Sequence, residues 1–535
     1  MSSVEIETAE KPKSNLEHLV DEIKPSGKTS RDSHSSGLPQ LEEDEVAIEE
    51  PESQNVKCAR RKYNIVCRVD MSVLLLLALG FFVFQLDRMN LASALTGRFA
   101  KDIDVDQNTI NLGNQLLFMG NVLLEIPANM MLQRLGPRVW LSAQVCLFGL
   151  IATLQIFVKN RIGFLMARLM LGFAEAGYIP GAAYTLSNWY TRPELAKRIS
   201  VFFFGMFGGN AISPLLASGI LELDGQRGLR GWQWLFMLEG LFAMFTAAIM
   251  VICLPGSPDD PNPLIGPGYM RFSACDRAAL RARLEKDDPN RRFSQAIDLR
   301  LVWNTVSHWR RWPHFVSTFA VFSTWSPLIT YTPSIIMSVL QMYLRLEDGS
   351  LTQSRRSLGF KRIVANALAA VGASMALLVV FVFGYVSDRI NRRGGTVIAA
   401  QTCYLIVLVV ARQVHPHVGR WSRWGLWTAV NSFAVGYHPV HNSWLQLNCH
   451  EARERSISIA MWVMSAISGL MVGTQYFRAD DAPFYHEGLR TMIIMVTIGI
   501  VAAVLQLTIY VNYNRQARRV ESNLGLSVPS IQYTP

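Results

Sequence analysis

Charge is scarce in this chain. Asp, Glu, Lys and Arg make up 17% of its 535 residues, against about a quarter in soluble domains. Hydrophobic residues reach 50% and mean hydropathy is +0.20, although both ends are polar. That balance argues against an ordinary soluble domain and for an all-α integral membrane protein. Cysteine is sparse as well. The seven, at 58, 67, 146, 253, 275, 403 and 449, include no C-x-x-C pair, so neither a disulfide framework nor a cysteine metal site is expected. They read as buried small apolar residues. No phosphate loop, nucleophile–base constellation or metal signature occurs outside the apolar runs. An enzyme is therefore not expected, nor a metal or cofactor. The net charge of +10 lies at the ends of apolar runs rather than in a stripe interleaved with aromatics, which leaves no footprint for nucleic acid.

What is present is a series of apolar runs. A spanning helix needs ~20 such residues. Twelve candidates occur, at 71–94, 112–133, 139–158, 163–186, 199–221, 233–254, 314–338, 361–387, 396–414, 424–447, 456–477 and 489–512. They divide six and six around a polar segment, 255–312, which opens on "LPGSPDDPNP", where proline forbids helix continuation. The expected organisation is a disordered cytosolic tail over 1–56, a six-helix half over 57–254, a cytosolic linker over 255–312, a second half over 313–512 and a cytosolic tail over 513–535. The linker stretch "ACDRAALRARLEKDDPNRR" reads as a short surface helix and a tail. The acidic N-terminus does not read as a signal peptide, and the first run is expected to act as an uncleaved signal anchor. Basic residues alternate in the loops, at Arg134 and Arg138, Arg192, Lys197 and Arg198, Arg389, Arg392 and Arg393, and Arg453 and Arg455. This places both termini in the cytosol. Arg345, Arg355 and Arg356 break the pattern.

Two groups of charges lie inside the runs of the first half, where each costs ~2.5–3.5 kcal/mol on insertion scales. Asp87 and Arg88, late in the first run, are adjacent and point about 100° apart. They address one cavity without pairing with each other, or they simply end the span. Arg168 and Glu175, in "ARLMLGFAEAGYIPG", are two helical turns apart and ~10 Å along the axis. They share a face but not a contact, so each needs another partner. The pairs available are Arg168 with Asp87 and Glu175 with Arg88. Gly172, Ala176, Gly177 and Gly181 form a small-residue face for close helix packing. A buried carboxylate that can be protonated suits proton coupling, and Asp87 and Glu175 are the candidates.

The second half offers polar groups instead. "FSTWSPLITYTP" carries Trp325, Thr330, Tyr331 and Thr332. "NSFAVGYHPVHNSW" carries Asn431, Tyr437, His438, His441 and Asn442. Tyr331, Asn431, His438 and Asn442 are taken as cavity-lining candidates. His438 and His441 lack a third ligand, so no metal site is expected.

Several stretches resemble the major facilitator superfamily. "GYVSDRINRRGG", 384–395, is similar to its G-x-x-x-D-R-x-x-R-R-G loop signature. "ANMMLQRLGPRVW" keeps Arg134, Gly136 and Arg138 of the matching loop without its Asp. These residues, with Asp388, Arg389, Arg392 and Arg393, are expected to latch one conformation through ion pairs and helix ends. "LDRMN", "LLEIPANMMLQRLGPRVW", "RLMLGFAEAGYIPG", "GLRGWQWLFMLEG", "LPGSP" and "YFRADDAPFY" together resemble the anion:cation symporter family in its fungal allantoate permease branch. The resemblance implies twelve transmembrane helices in two six-helix halves. It also implies roles: Asp87 and Glu175 in proton coupling, Arg88 meeting the substrate's acid group, and Arg168 facing those carboxylates or the anion. One departure from the family pattern is "VLQMYLRLEDGSLTQSRR", 339–356, which reads as a longer extracellular loop or a retained intron.

The expectation is a secondary active transporter working by alternating access. It takes up a small organic anion, a vitamin or a nitrogen- or sulfur-containing carboxylate or sulfonate, with protons. It is expected as a monomer in the plasma membrane, its partners being substrate, proton and lipid bilayer. A proton-driven exporter and a non-transporting sensor are the alternatives. Pro214 preceded by Ser213 in "GMFGGNAISPLLASG" departs from the G-P pair usual in exporters of the superfamily.

Overall fold

A computed structural model describes residues 64–263, 271–287, 299–347, 362–449, 452–482, 484–524 and 533–534. Among them there is no strand. The helices are α1 (Asn64–Thr96), α2 (Gln107–Leu135), α3 (Pro137–Leu154), α4 (Arg161–Glu175), α5 (Tyr178–Trp189), α6 (Arg192–Ile220) and α7 (Gly231–Cys253). The linker holds α8 (Ala274–Asp287) and α9 (Leu299–Val306). The second half has α10 (Trp312–Ser323), α11 (Trp325–Glu347), α12 (Arg362–Ile390), α13 (Arg393–Val414), α14 (Arg420–Ala434), α15 (His438–Leu447), α16 (Ala452–Gly473) and α17 (His486–Leu524).

Nine helices among the described residues are long and apolar enough to cross a bilayer, counting α4 and α5 as one run. Three expected spans fall short of that measure. The seventh is interrupted at Thr324 between α10 and α11, and the tenth between α14 and α15. The apolar part of α16, Ile457–Gly473, is short. Local chemistry sets the starts. Asp106 Oδ1 accepts from Thr109 N at 3.0 Å before α2. Asn160 Oδ1 accepts from Gly163 N at 2.8 Å before α4, and Thr191 with Glu194 forms a capping box before α6.

The packing repeats itself. In the first half α1 lies on α6, α3 on α7 and α2 on α4. In the second, α10 lies on α16, α13 on α17 and α12 on α14. These are the same neighbours by order: first with fifth, third with sixth, second with fourth. The halves meet through α6 with α12, α2 with α16 and α1 with α11. Apolar side chains turned outward, such as Leu123, Ile126, Phe245 and Val382, meet lipid rather than water.

Four sequence expectations change. The stretch 339–356 is not loop throughout, because α11 continues to Glu347; 348–356 lie outside the described residues. Likewise α17 runs on to Leu524 past the expected end at 512, since the charged stretch "NYNRQARRVESNL" consists mainly of adequate helix formers. Beyond it Tyr533 and Thr534 dock on the bundle: Asn514 exchanges hydrogen bonds with the Tyr533 backbone at 2.7 and 2.9 Å. The linker helix α8 buries Leu280 and Leu284 and is tied to the first half by Arg68–Asp276 at 3.1 Å and by Arg283–Glu194. Of the six described cysteines only Cys449 is buried, and Cys67, Cys146 and Cys275 are exposed.

Candidate functional site

The fourth span is broken where the sequence reads Glu175-Ala176-Gly177. Gly177 takes φ +79°, a left-handed conformation open to glycine. It therefore separates α4 from α5 rather than only smoothing a packing face. Ala176 C=O, freed by the break, accepts from Gln144 Nε2 at 2.5 Å. The Gly177 N–H donates to Glu125 Oε2 on α2 at 2.9 Å. Gly172 is the closest packing point, because a Cβ there would sit 2.1 Å from the Leu117 carbonyl oxygen. The break leaves Glu175 in the last turn of a half-helix, facing α1.

There it meets Arg88. Arg88 Nε donates to Glu175 Oε2 at 2.9 Å, and its guanidinium lies 4.3 Å from the centroid of Phe84. With the Asn121 amide turned to satisfy both neighbours, its oxygen accepts from Arg88 Nη2 at 2.7 Å and its nitrogen donates to Glu125 Oε2 at 3.2 Å. A continuous relay thus runs from Glu175 through Arg88 and Asn121 to Glu125 and the Gly177 N–H. Of the two pairs the sequence allows, Glu175 with Arg88 forms. Arg168 makes no ion pair with Asp87 within 4 Å. Its Nε and Nη2 are buried without hydrogen-bond partners. Asp87 Oδ1 has a 3.4 Å contact from Asn90 Nδ2, while Asp87 Oδ2 and Glu175 Oε1 have none.

The first half holds more buried charge than the two groups noticed in sequence. Glu125 is 1% exposed and Glu239 6% exposed. Both sat in plain view in "LLEIPANMM" and "FMLEG", and the cost of charge in an apolar run was the signal that could have found them. Four carboxylates, Asp87, Glu125, Glu175 and Glu239, share this interior with two guanidiniums.

Arg88 and Arg168 line a cavity with an empty volume of about 820 Å³ between the halves. Its second-half wall includes Phe322, Trp325, Ser326, Thr330, His438 and Trp462. Of the four second-half candidates only His438 is there. Asn431 lines a separate, more apolar cavity of about 520 Å³ and bonds Thr332. Asn442 accepts from Gln446 one turn along at 3.1 Å. His441 faces away from the cavity to His314, ring nitrogens 2.9 Å apart.

Tyr331 belongs to a closure at the bundle end opposite Asn64 and Leu524. Its hydroxyl donates to Asn111 Oδ1. Asn111 Nδ2 and Gln107 Nε2 both donate to the Phe477 carbonyl, at 3.0 and 3.1 Å. Phe477 in turn stacks on Tyr485, with centroids 4.4 Å apart. Gln475 donates to Gln115 at 3.2 Å, and Asn366 to Thr96 at 3.1 Å. Each of these contacts crosses between the halves except the Phe477–Tyr485 stack. The stretch "YFRADDAPFY" supplies Phe477 and Tyr485 to that closure.

The residues expected to latch at the other end divide. Arg393 reaches Asp388 Oδ1 at 3.2 Å and Ser443 Oγ at 2.7 Å. Arg138 donates to the carbonyls of Leu254 at 2.9 Å and Asn262 at 2.7 Å. Arg134, Arg389 and Arg392 are exposed.

Comparison with known proteins places this architecture. The chain is 25% identical over 501 residues to the MFS-type transporter cnsO of Penicillium expansum, covering 92% of each chain. It is 24% identical over 459 residues to an uncharacterized transporter of Saccharomyces cerevisiae, covering 85% of this chain and 81% of the relative. Over 196 residues it is 28% identical to a putative tartrate transporter of Agrobacterium vitis, covering 36% of this chain and 45% of the relative. Its fold matches that of the proton:xylose symporter XylE bound to 6-bromo-6-deoxy-D-glucose, with TM-score 0.60 at 14% identity, covering 82% of this chain and 95% of that one. The sequence model of the Major Facilitator Superfamily matches residues 77–474. With its helical repeat, its central cavity and its membrane-crossing helices, this multi-pass membrane chain is a secondary transporter that belongs to the major facilitator superfamily.

Proposed function

We propose that the chain is a proton-coupled importer of a small organic anion. The carrying observation is Arg168: a guanidinium on the wall of the central cavity with two N–H groups lacking partners. An unsatisfied buried donor costs about 1–3 kcal/mol, more when charged, and an entering carboxylate or sulfonate satisfies it. A planar fork suits either group. The sequence likeness to a putative tartrate transporter supports an anionic substrate.

Coupling follows from charge balance. Four buried carboxylates and two arginines leave an excess of negative charge when all are ionised, and a substrate anion adds to it. Protonating Asp87 and Glu175 removes that excess. Protonation of Glu175 also releases Arg88 from its 2.9 Å partner, so the second guanidinium turns to the anion. Proton and substrate thereby load together in the state open to the outside. The halves then rock, and both are released on the cytosolic side of the plasma membrane, where both termini lie. Arg393 and Arg138 hold helix ends together during one of these states. A monomer suffices, since the cavity lies within one chain.

The test is uptake into proteoliposomes of the full chain with an imposed pH gradient. Anion accumulation that rises with outside acidity and collapses with an uncoupler is expected. Accumulation indifferent to the gradient would remove the coupling.

A further inference from the structure

The second-half wall of the cavity carries a set of features the anion alone does not use. Four rings close up there. His438 lies 4.5 Å from Trp462 and 4.8 Å from Phe322, centroid to centroid. Phe322 lies 5.8 Å from Trp325 and 6.0 Å from Trp462. All four line the cavity, as do Arg168 and Arg88 on the other half. The polar atoms of this wall are largely without partners. Trp462 Nε1, His438 Nδ1 and Ser326 Oγ are buried and make no hydrogen bond. Trp462 is 1% exposed, Ser326 1% and His438 4%. Trp Nε1 can only donate, and a serine hydroxyl donates as well as accepts.

Buried polar atoms are satisfied in the great majority of cases, and each exception asks for an explanation. Three of the exceptions, at Trp462, His438 and Ser326, belong to residues that line one cavity, and Arg168, with two more, lines it from the other half. A ligand lying between the halves answers both sides at once.

We infer that the transported anion is a flat-ring monoanion carrying a hydrogen-bond acceptor on the ring side opposite its acid group. This rests on the anion-import reading and narrows its substrate. The acid group meets Arg168. The ring lies against Phe322, Trp325 and Trp462, where aromatic pairs add about 0.5–1.5 kcal/mol beyond burial. The far acceptor takes the N–H of Trp462 or the hydroxyl of Ser326. One acid group is specified because Arg88 and Arg168 both belong to the first-half wall, and the second-half lining of the cavity includes no Arg or Lys. A polyhydroxylated aliphatic acid has no ring to place on this wall. It would also leave its hydroxyls against Phe322 and Ile329.

The experiment measures binding to the purified full chain at mildly acid pH, above the titration of the pyridine ring so that its nitrogen stays an acceptor, by quenching of tryptophan fluorescence and by calorimetry. The probes are pyridine-4-carboxylate, benzoate, cyclohexanecarboxylate and tartrate. Benzoate differs from pyridine-4-carboxylate only by CH in place of the ring nitrogen. Pyridine-4-carboxylate is expected to bind about five- to tenfold tighter than benzoate, and benzoate several-fold tighter than cyclohexanecarboxylate. Trp462→Phe keeps a ring and removes the N–H. It is expected to weaken pyridine-4-carboxylate about fivefold more than benzoate, with Ser326→Ala as an independent variant should Trp462→Phe fold poorly. Cyclohexanecarboxylate binding as tightly as benzoate overturns the ring. A preference for pyridine-4-carboxylate that survives both variants overturns the acceptor contact. Tartrate bound in preference to every ring overturns this inference and leaves anion import standing. No binding by any of the four overturns both.

Discussion

Arg88 holds Glu175 at 2.9 Å across the gap between α1 and α4, and both sit in the half of the molecule that carries nearly all of its intramembrane charge. The pair is a structural bond and, under the proposed coupling, a switchable one. Its acid partner lies in the last turn before a helix break, and its basic partner lines the cavity.

Removing the acid therefore separates two functions. Glu175→Gln keeps a hydrogen-bond acceptor for Arg88 and deletes the titrating group. Net uptake driven by a pH gradient is expected to fall at least tenfold, while exchange of internal for external substrate persists. Measuring both in the same vesicles checks this. Gradient-driven uptake unchanged in the variant counts against Glu175 as the proton site.

Arg168 is expected to be the more sensitive of the two arginines for substrate affinity, because its nitrogens have no protein partners. Arg168→Lys retains the charge and loses the bidentate fork. The KM for uptake is expected to rise about tenfold, with a smaller change in maximal rate. Arg88→Lys, by contrast, is expected to alter the pH profile more than the KM. Concentration series at two pH values distinguish the patterns, and equal effects of both variants would contradict the assignment.

Glu125 is expected to act as an acceptor rather than as a proton site. Its Oε2 receives Gly177 N–H and the Asn121 amide, a task that a glutamine oxygen performs equally well. Glu125→Gln should leave the thermal stability of the detergent-solubilised protein within a degree or two. Glu125→Ala strands two buried donors at about 1–3 kcal/mol each and is expected to lower the melting temperature by several degrees. Melting curves of the two variants side by side settle which holds.

The closure built on Phe477 gives a crosslinking test. Gln115 and Gln475 touch at 3.2 Å across the halves. In a background without the native cysteines, Gln115→Cys combined with Gln475→Cys is expected to crosslink under mild oxidant and to stop transport until reductant is added. Each single variant should be insensitive. Transport continuing in the crosslinked protein would mean that the closure does not open in the cycle.

Most of the membrane architecture was legible in the sequence because it rests on one dominant quantity, the apolar length needed to cross a bilayer. The runs at 112–133 and 489–512 correspond to α2 and α17 for that reason. What a run length cannot register is an interruption. Thr324, Val435 and Ala176 lie inside apolar stretches, and only the backbone reveals that the helix stops at each. The charged pairs were legible as alternatives, since spacing excluded Arg168–Glu175 contact and left two cross-helix pairs. Choosing between them requires the relative rotation of α1 and α4, which spacing along one chain does not give. Glu125 carries only one sequence signal, the cost of a carboxylate inside the apolar run "LLEIPANMM", and its partner at Gly177 N–H depends on the helix break. Tyr331, between the prolines of "SPLITYTP", reads as a cavity residue, whereas its hydroxyl donates to Asn111 across the halves.

The surface of α2 carries a consequence for how the halves move. Glu125 is buried while its chain neighbours Leu124 and Ile126 face outward, 36% and 57% exposed. Spinning α2 about its long axis by one residue's worth of angle would bring the carboxylate toward lipid and a leucine toward the polar relay. That costs ~2.5–3.5 kcal/mol for the charge alone. The helix is therefore keyed like a shaft in a slot. Tipping keeps the carboxylate inside the bundle, and rolling does not.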